Sequence, residues 1–152
     1  MHEVRVGIGE VQVVQGDIIL SAYGVGSCVV IVLFDPVRRL CGLAHCLLPD
    51  GSEKSTKYPR GAIEVLFHEM IERGAVQSNI VAKVIGGATM FEGFAKHQIG
   101  KRNVLQTRKE CDRIQIPIIA EDVFGNWGRT IFCNAQTGEV TVRSFKHGEK
   151  VL

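Results

Sequence analysis

Cys28 and His45 are the two side chains in this 152-residue chain best placed for covalent chemistry. Cys28 opens an apolar run, Cys28–Phe34, directly after the Gly24-Val25-Gly26-Ser27 turn. His45 lies in a second apolar run, Leu40–Leu48, which stops at Pro49-Asp50-Gly51. Asp35-Pro36 between the runs suits a type I turn, so together they predict an antiparallel hairpin. A turn at Asp35–Arg38 sets Cys28 directly opposite His45, with Cβ atoms roughly 5 Å apart. A loop two residues longer makes them diagonal neighbours on the same face, and a slip of one residue puts them on opposite faces. A thiol beside an imidazole at the mouth of a glycine turn suggests a nucleophile and its base. An adjacent imidazolium would lower the thiol pKa, and the amides of the Gly24–Cys28 corner would form an oxyanion hole. The bland alternative is a structural cysteine and a satisfied core histidine. Position, not residue type, favours chemistry.

Other constellations are weaker. Cys41, His45 and Cys46 invite a zinc reading, but on a strand Cys41 and His45 lie roughly 13 Å apart and Cys46 points to the other face. No metal is therefore expected. Gly86-Gly87-Ala88-Thr89-Met90-Phe91 follows a strand but lacks GxxxxGK[ST] and GxGxxG, which argues against nucleotide binding. Its Met90-Phe91 pair would grip a partner peptide or pack into the core. Glu121-Asp122 read as solvated or capping carboxylates.

The elements that must hold Cys28 and His45 follow from periodicity. Both parities of Cys28–Phe34 are apolar, so that strand is expected to be covered on both faces. Val4–Val14 alternates loosely around Gly7 and Gly9, as an edge strand or a bent pair, and Ile18–Tyr23 is a short strand feeding the glycine corner. Pro49–Pro59 is a polar loop rimming any site at His45. Gly61–Arg73 carries an i, i+3/i+4 apolar stripe closed by Gly74 and predicts a helix. Ile80–Ile85 reads as a strand, Ile99–Arg113 as a helix and Ile114–Ala120 as a strand. Thr130–Asn134 and Glu139–Phe145 flank Ala135-Gln136-Thr137-Gly138 as a closing hairpin. Strands outnumber helices, which points to an α+β fold of one domain, residues 1–152.

Composition narrows the class. The chain is 45% hydrophobic and 22% charged, as ordinary globular proteins are, and its net charge of +2 is too small to argue for nucleic acid. The start, Met1-His2-Glu3-Val4-Arg5, lacks the pattern of a signal peptide, and no apolar run approaches the ~18 residues of a bilayer span. Five cysteines without CxxC spacing suit reduced thiols, and a cytoplasmic location is expected.

Several of these stretches together resemble the CheD family of chemoreceptor glutamine deamidases. The resemblance is carried by Gly26-Ser27-Cys28-Val29 and by Ala44-His45 with Leu48-Pro49. Gly86-Gly87-Ala88-Thr89-Met90-Phe91, Ile99-Gly100-Lys101-Arg102-Asn103-Val104 and Ala120-Glu121-Asp122 with Gly125-Asn126 extend it in order over nearly the whole chain. It implies a Cys–His hydrolase of the fold shared with the cytotoxic necrotizing factor catalytic domain, a mixed or antiparallel β-sandwich flanked by two or three helices. It implies protein-glutamine glutaminase activity through a Cys28 thioester with His45 as base, without cofactor, the same thioester serving hydrolysis of receptor methyl esters. Its implied partners are chemoreceptor cytoplasmic helices as substrate and a CheC-type phosphatase that holds the deamidase back, with no nucleic acid and no membrane insertion. The family's third catalytic residue is a Thr six positions before the Cys, and here that position is Ala22. Ser21 is the nearest hydroxyl and the candidate third catalytic residue, but an ideal strand points it to the opposite face unless a bulge turns it. The alternative function is a non-catalytic regulator that binds the phosphatase through the same pocket.

Overall fold

The hairpin at the centre of the chain is buried from end to end. In this computed structural model, which describes residues 2–51, 54–90 and 98–152, β4 (Val29–Asp35) and β5 (Leu40–Cys46) pair antiparallel with every residue buried. Strand alternation divides their side chains between two cores. Ile31, Leu33, Ala44 and Cys46 face one, and Val30, Val32, Cys41 and Leu43 face the other. The doubly covered strand expected from the apolar run is thus what forms. Its turn is longer than the tightest one. The Asp35 carboxylate accepts from the Val37 and Arg38 amides, and Arg39 adopts a left-handed φ of 56°. Asp35 therefore pairs with Leu40, and Val30 with His45.

Two five-stranded sheets carry this arrangement. One has the order β2 (Val11–Gln15), β5, β4, β6 (Val81–Gly86), β7 (Ile118–Val123). The other runs β1 (His2–Arg5), β3 (Ile18–Val25), β8 (Arg129–Asn134), β9 (Val140–Ser144), β10 (Gly148–Val151). The pairs β1/β3 and β6/β7 are parallel and the others antiparallel, so both sheets are mixed. Leu20, Ile131, Cys133, Val140 and Val142 meet the β4–β5 hairpin between the sheets. On the other side of the hairpin sheet lie α1 (Pro59–Glu72), through Ala62, Ile63, Leu66 and Met70, and α2 (Ile99–Arg113), through Val104 and Cys111. The architecture is the helix-flanked mixed β-sandwich expected.

Three boundaries differ from the sequence reading, each for a local reason. Val4–Val14 holds two strands in different sheets, because the chain crosses the sandwich at Gly7–Gly9, where Gly9 has φ 82°. The strand expected from Ile114 starts at Ile118, because Ile114 caps α2, Gln115 turns with φ 59°, and Ile116 packs into the helix-side core. The last strand, β10, is exposed throughout and has no apolar alternation to announce it. The expected role of Phe91 lies outside the described residues.

Candidate active site

Cys28 and His45 share the inter-sheet face at one end of the sandwich. Cys28 immediately precedes β4, and His45 stands opposite Val30, two residues further along the strand. They are diagonal neighbours, with Cα atoms roughly 7–8 Å apart and side chains projecting the same way. Both are buried, at 6% and 1% exposure.

Main-chain contacts fix the imidazole. His45 Nδ1 lies 3.2 Å from the Val6 carbonyl oxygen, which can only accept, so the neutral ring carries its proton on Nδ1. Val6 is itself pinned, its amide donating to the Ser21 carbonyl at 2.8 Å. β5 lies between β2 and β4, and the Val6–Glu10 segment occupies the β2 flank, where the Gly9 amide donates to His45 O and the His45 amide to Glu10 O. Nε2 lies across the ring from the Val6 contact. It is buried and has no hydrogen-bond partner among the described residues. An imidazole held by one nitrogen and free at the other is a general base in waiting.

Burial sets the resting protonation. It pushes the Cys28 thiol above its ordinary value, against a smaller lowering by the residue's own amide. It pushes His45 below its ordinary value, against smaller opposing effects of the Val6 carbonyl and Glu10. Both shifts favour the neutral thiol–imidazole pair over thiolate–imidazolium. The thiolate–imidazolium pair expected from the sequence is therefore not the favoured resting state.

Ser21 does not join the pair. Its hydroxyl donates to Glu3 at 2.8 Å, beside Tyr23, which donates to the same carboxylate oxygen. Leu20 and Ala22 face the inter-sheet core, so Ser21 points to the other side of β3. The strand does bulge, but between Ala22 and Val25, too late to turn Ser21. Ala22, where the resemblance implies a Thr, faces the inter-sheet core without a hydroxyl. Ser21 touches His45 only through the main chain, its carbonyl holding Val6. A backbone carbonyl has no side-chain signature, so nothing in the sequence announced Val6.

The corner before Cys28 is braced from behind. The Gly87 amide donates to Cys28 O at 2.8 Å, and the Ala88 amide to Gly26 O at 2.9 Å. Gly86 takes φ 115°, and a Cβ there would run into the Cys28 carbonyl. This is what the glycine run does; no phosphate loop is needed to explain it. Ser27 O accepts from the Asn103 side chain. Among the described residues no backbone carbonyl takes up the Ser27 or Cys28 amide. The two amides are available to an oxyanion. Met90 packs over Gly26 at the mouth and is 43% exposed. Cys41 and Cys46 sit in opposite cores. Cys41 instead meets Cys133 of the facing sheet, Sγ to Sγ 3.3 Å. Glu121 pairs with Arg108, and Asp122 with Arg129 and Lys150, so both carboxylates are engaged in ion pairs.

Comparison with known proteins places this geometry. The solved structure of the Bacillus licheniformis hypothetical protein YfiH superposes with a TM-score of 0.51 at 16% identity, covering 74% of this chain and 49% of that one, which is a likeness of fold. The chain is 40% identical to the probable chemoreceptor glutamine deamidase CheD 2 of Geobacter metallireducens, over 98% of both chains. It is 38% identical to the probable chemoreceptor glutamine deamidase CheD of Pyrococcus horikoshii, over 99% of this chain and 98% of that one. A family model described as CheD chemotactic sensory transduction matches residues 47–144, and the full-length relatives carry the likeness back across β1 to β5. With the family matched over most of the chain and the relatives over nearly all of it, this protein belongs to the CheD chemotactic sensory transduction family.

Proposed function

We propose that this chain is a cysteine-dependent protein-glutamine deamidase that converts Gln to Glu on the cytoplasmic helices of chemoreceptors. The observation that carries the reading is the placing of Cys28 on one face with a histidine whose Nδ1 is fixed and whose Nε2 has no partner among the described residues. Cys28 Sγ attacks the side-chain carboxamide carbon while His45 Nε2 takes the thiol proton. The carbonyl oxygen becomes an oxyanion facing the Ser27 and Cys28 amides. Collapse breaks the C–N bond, and the proton on Nε2 leaves with the nitrogen as ammonia, giving a thioester. His45 then deprotonates a water that attacks the thioester. The C–S bond breaks, the sulfur recovers the proton, and Glu is released. Each turnover turns a neutral amide into a carboxylate, and a carboxylate on a receptor helix changes its repulsion with neighbours.

The CheC-type phosphatase is the regulatory partner in this reading, acting where the receptor helix would lie. The test is ammonia release from a receptor cytoplasmic fragment, with and without that phosphatase. Release by the wild-type chain, loss in Cys28→Ala and reduction by the phosphatase are expected. No release by the wild-type chain would reject the reading. Ala22 favours a second reading, a binding regulator without turnover, since no hydroxyl stands at the position where the family has one. That regulator would bind the phosphatase equally well after Cys28→Ala and release no ammonia before it.

A further inference from the structure

Asn103, on α2, reaches across two layers of the fold to the nucleophile corner. It is fully buried, and its Nδ2 donates to the Ser27 carbonyl at 2.8 Å and to the Leu47 carbonyl at 3.2 Å. Both partners can only accept, so the orientation of the carboxamide is dictated by them. Its Oδ1 is buried with no partner among the described residues. A buried amide that satisfies its donors and leaves its acceptor bare is held for those donors.

The consequence lies in peptide geometry. In a planar trans peptide the C=O and the following N–H point in opposite directions. Drawing the Ser27 carbonyl back toward α2 therefore turns the Cys28 amide forward, to the side where the oxyanion of the proposed reaction forms. The neighbouring carbonyls, Gly26 O and Cys28 O, are held by the Ala88 and Gly87 amides, which no side-chain replacement removes directly. The Ser27–Cys28 peptide alone depends on a side chain. The second donor bond ends on Leu47, two residues beyond His45, so one carboxamide ties the ends of the segments that carry nucleophile and base.

We propose that Asn103 is a positioning residue for the oxyanion hole, aiming the Cys28 amide and holding the Cys28 corner in register with the end of β5. This rests on the deamidase reading above. Asn103 touches neither substrate nor thiol; it acts through the peptide it holds. Asn103→Asp keeps the shape and replaces the donor by an acceptor facing two carbonyls, and Asn103→Ala removes it.

The experiment measures kcat and KM for receptor-fragment deamidation, normalised to folded fraction, in wild type, Asn103→Ala, Asn103→Asp and Glu110→Gln. Glu110 is buried further along α2 and pairs with Arg113, so it reports general damage to the helix. Loss of an aimed oxyanion donor predicts a fall in kcat of about 10²-fold with KM changed less than about twofold, in both Asn103 variants. Glu110→Gln is expected to lower the melting temperature and keep kcat. Folded Asn103 variants with kcat within about twofold of an active wild type would overturn the proposal and leave the deamidase reading standing. A wild type that turns over no glutamine would instead reject the deamidase reading and this proposal with it. The wild-type protein gives an independent check that needs no variant to fold. Its Asn103 carboxamide protons should be protected in 15N-detected hydrogen exchange, and exchange at the rate of an exposed amide would overturn the proposal.

Discussion

At the scale of residues, the site is built from two side chains and a set of main-chain groups. In the proposed mechanism Cys28→Ala removes the nucleophile and His45→Ala the base, and each is expected to reduce deamidation by about 10³-fold or more. Ser21→Ala should keep turnover within about threefold of wild type, because its hydroxyl is committed to Glu3 on the far face of β3. Parallel ammonia assays on the three variants check this, and a Ser21→Ala collapse matching that of Cys28→Ala would show that the hydroxyl reaches the site. The protonation states carry a second expectation. A base whose pKa is lowered stays unprotonated to lower pH, so the acid limb of kcat/KM should have its midpoint below the ordinary histidine value of about 6.5. Alkylation of Cys28 by iodoacetamide should rise with a midpoint above the ordinary thiol value of 9.0. A strong thiolate absorbance at neutral pH would contradict both. The sequence made Cys28 and His45 legible because a period of two and a turn signal are enough to put them on one face. It did not make Val6 or the free amides legible, since those act through atoms that every residue has. Asn103 stood within a recognisable stretch, yet its contacts with Ser27 and Leu47 depend on tertiary packing that no local pattern encodes.

At the scale of elements, the corner is set by how closely α2 approaches the Gly86–Ala88 segment. A Cβ on Gly100 would collide with the carbonyls of Gly87 and Ala88, so the helix start has room only for glycine. Gly100→Ala is expected to cost roughly 1–3 kcal/mol, as overpacking does, and to displace Asn103 with the helix. A fall in the thermal midpoint of ~2–4 °C per kcal/mol, together with a larger fall in kcat than in binding, would check it. The same scale explains the pairing of the central hairpin. The Asx-type bonds of Asp35 and the left-handed Arg39 lengthen the turn, converting a directly opposed pair into a diagonal one without changing faces. That outcome was within reach of the sequence because adding two residues preserves parity. Ile99–Arg113 was legible to the residue, whereas β7 and β10 were not. Apolar Ile114 and Ile116 serve the end of α2 instead of a strand, and β10 joins its sheet through backbone bonds under polar side chains.

At the scale of the whole molecule, the sandwich gives the hairpin two cores. The helix-side core anchors Ile31, Leu33, Ala44 and Cys46, so the opposite faces of the same strands can hold Cys28 and His45 without losing their support. No helix among the described residues is long and apolar enough to cross a membrane. In the proposed reaction the substrate glutamine reaches Cys28 at the glycine corner, beside Met90. A receptor helix presenting glutamine side chains is the proposed substrate. The proposed reaction is a chemical conversion at named side chains, and peptide mass spectrometry of a receptor cytoplasmic domain after incubation with this protein reads it out. Conversion of specific glutamines to glutamate is expected with the wild-type chain, and none with Cys28→Ala or His45→Ala. Unchanged glutamines after wild-type treatment, or equal conversion by Cys28→Ala, would contradict it.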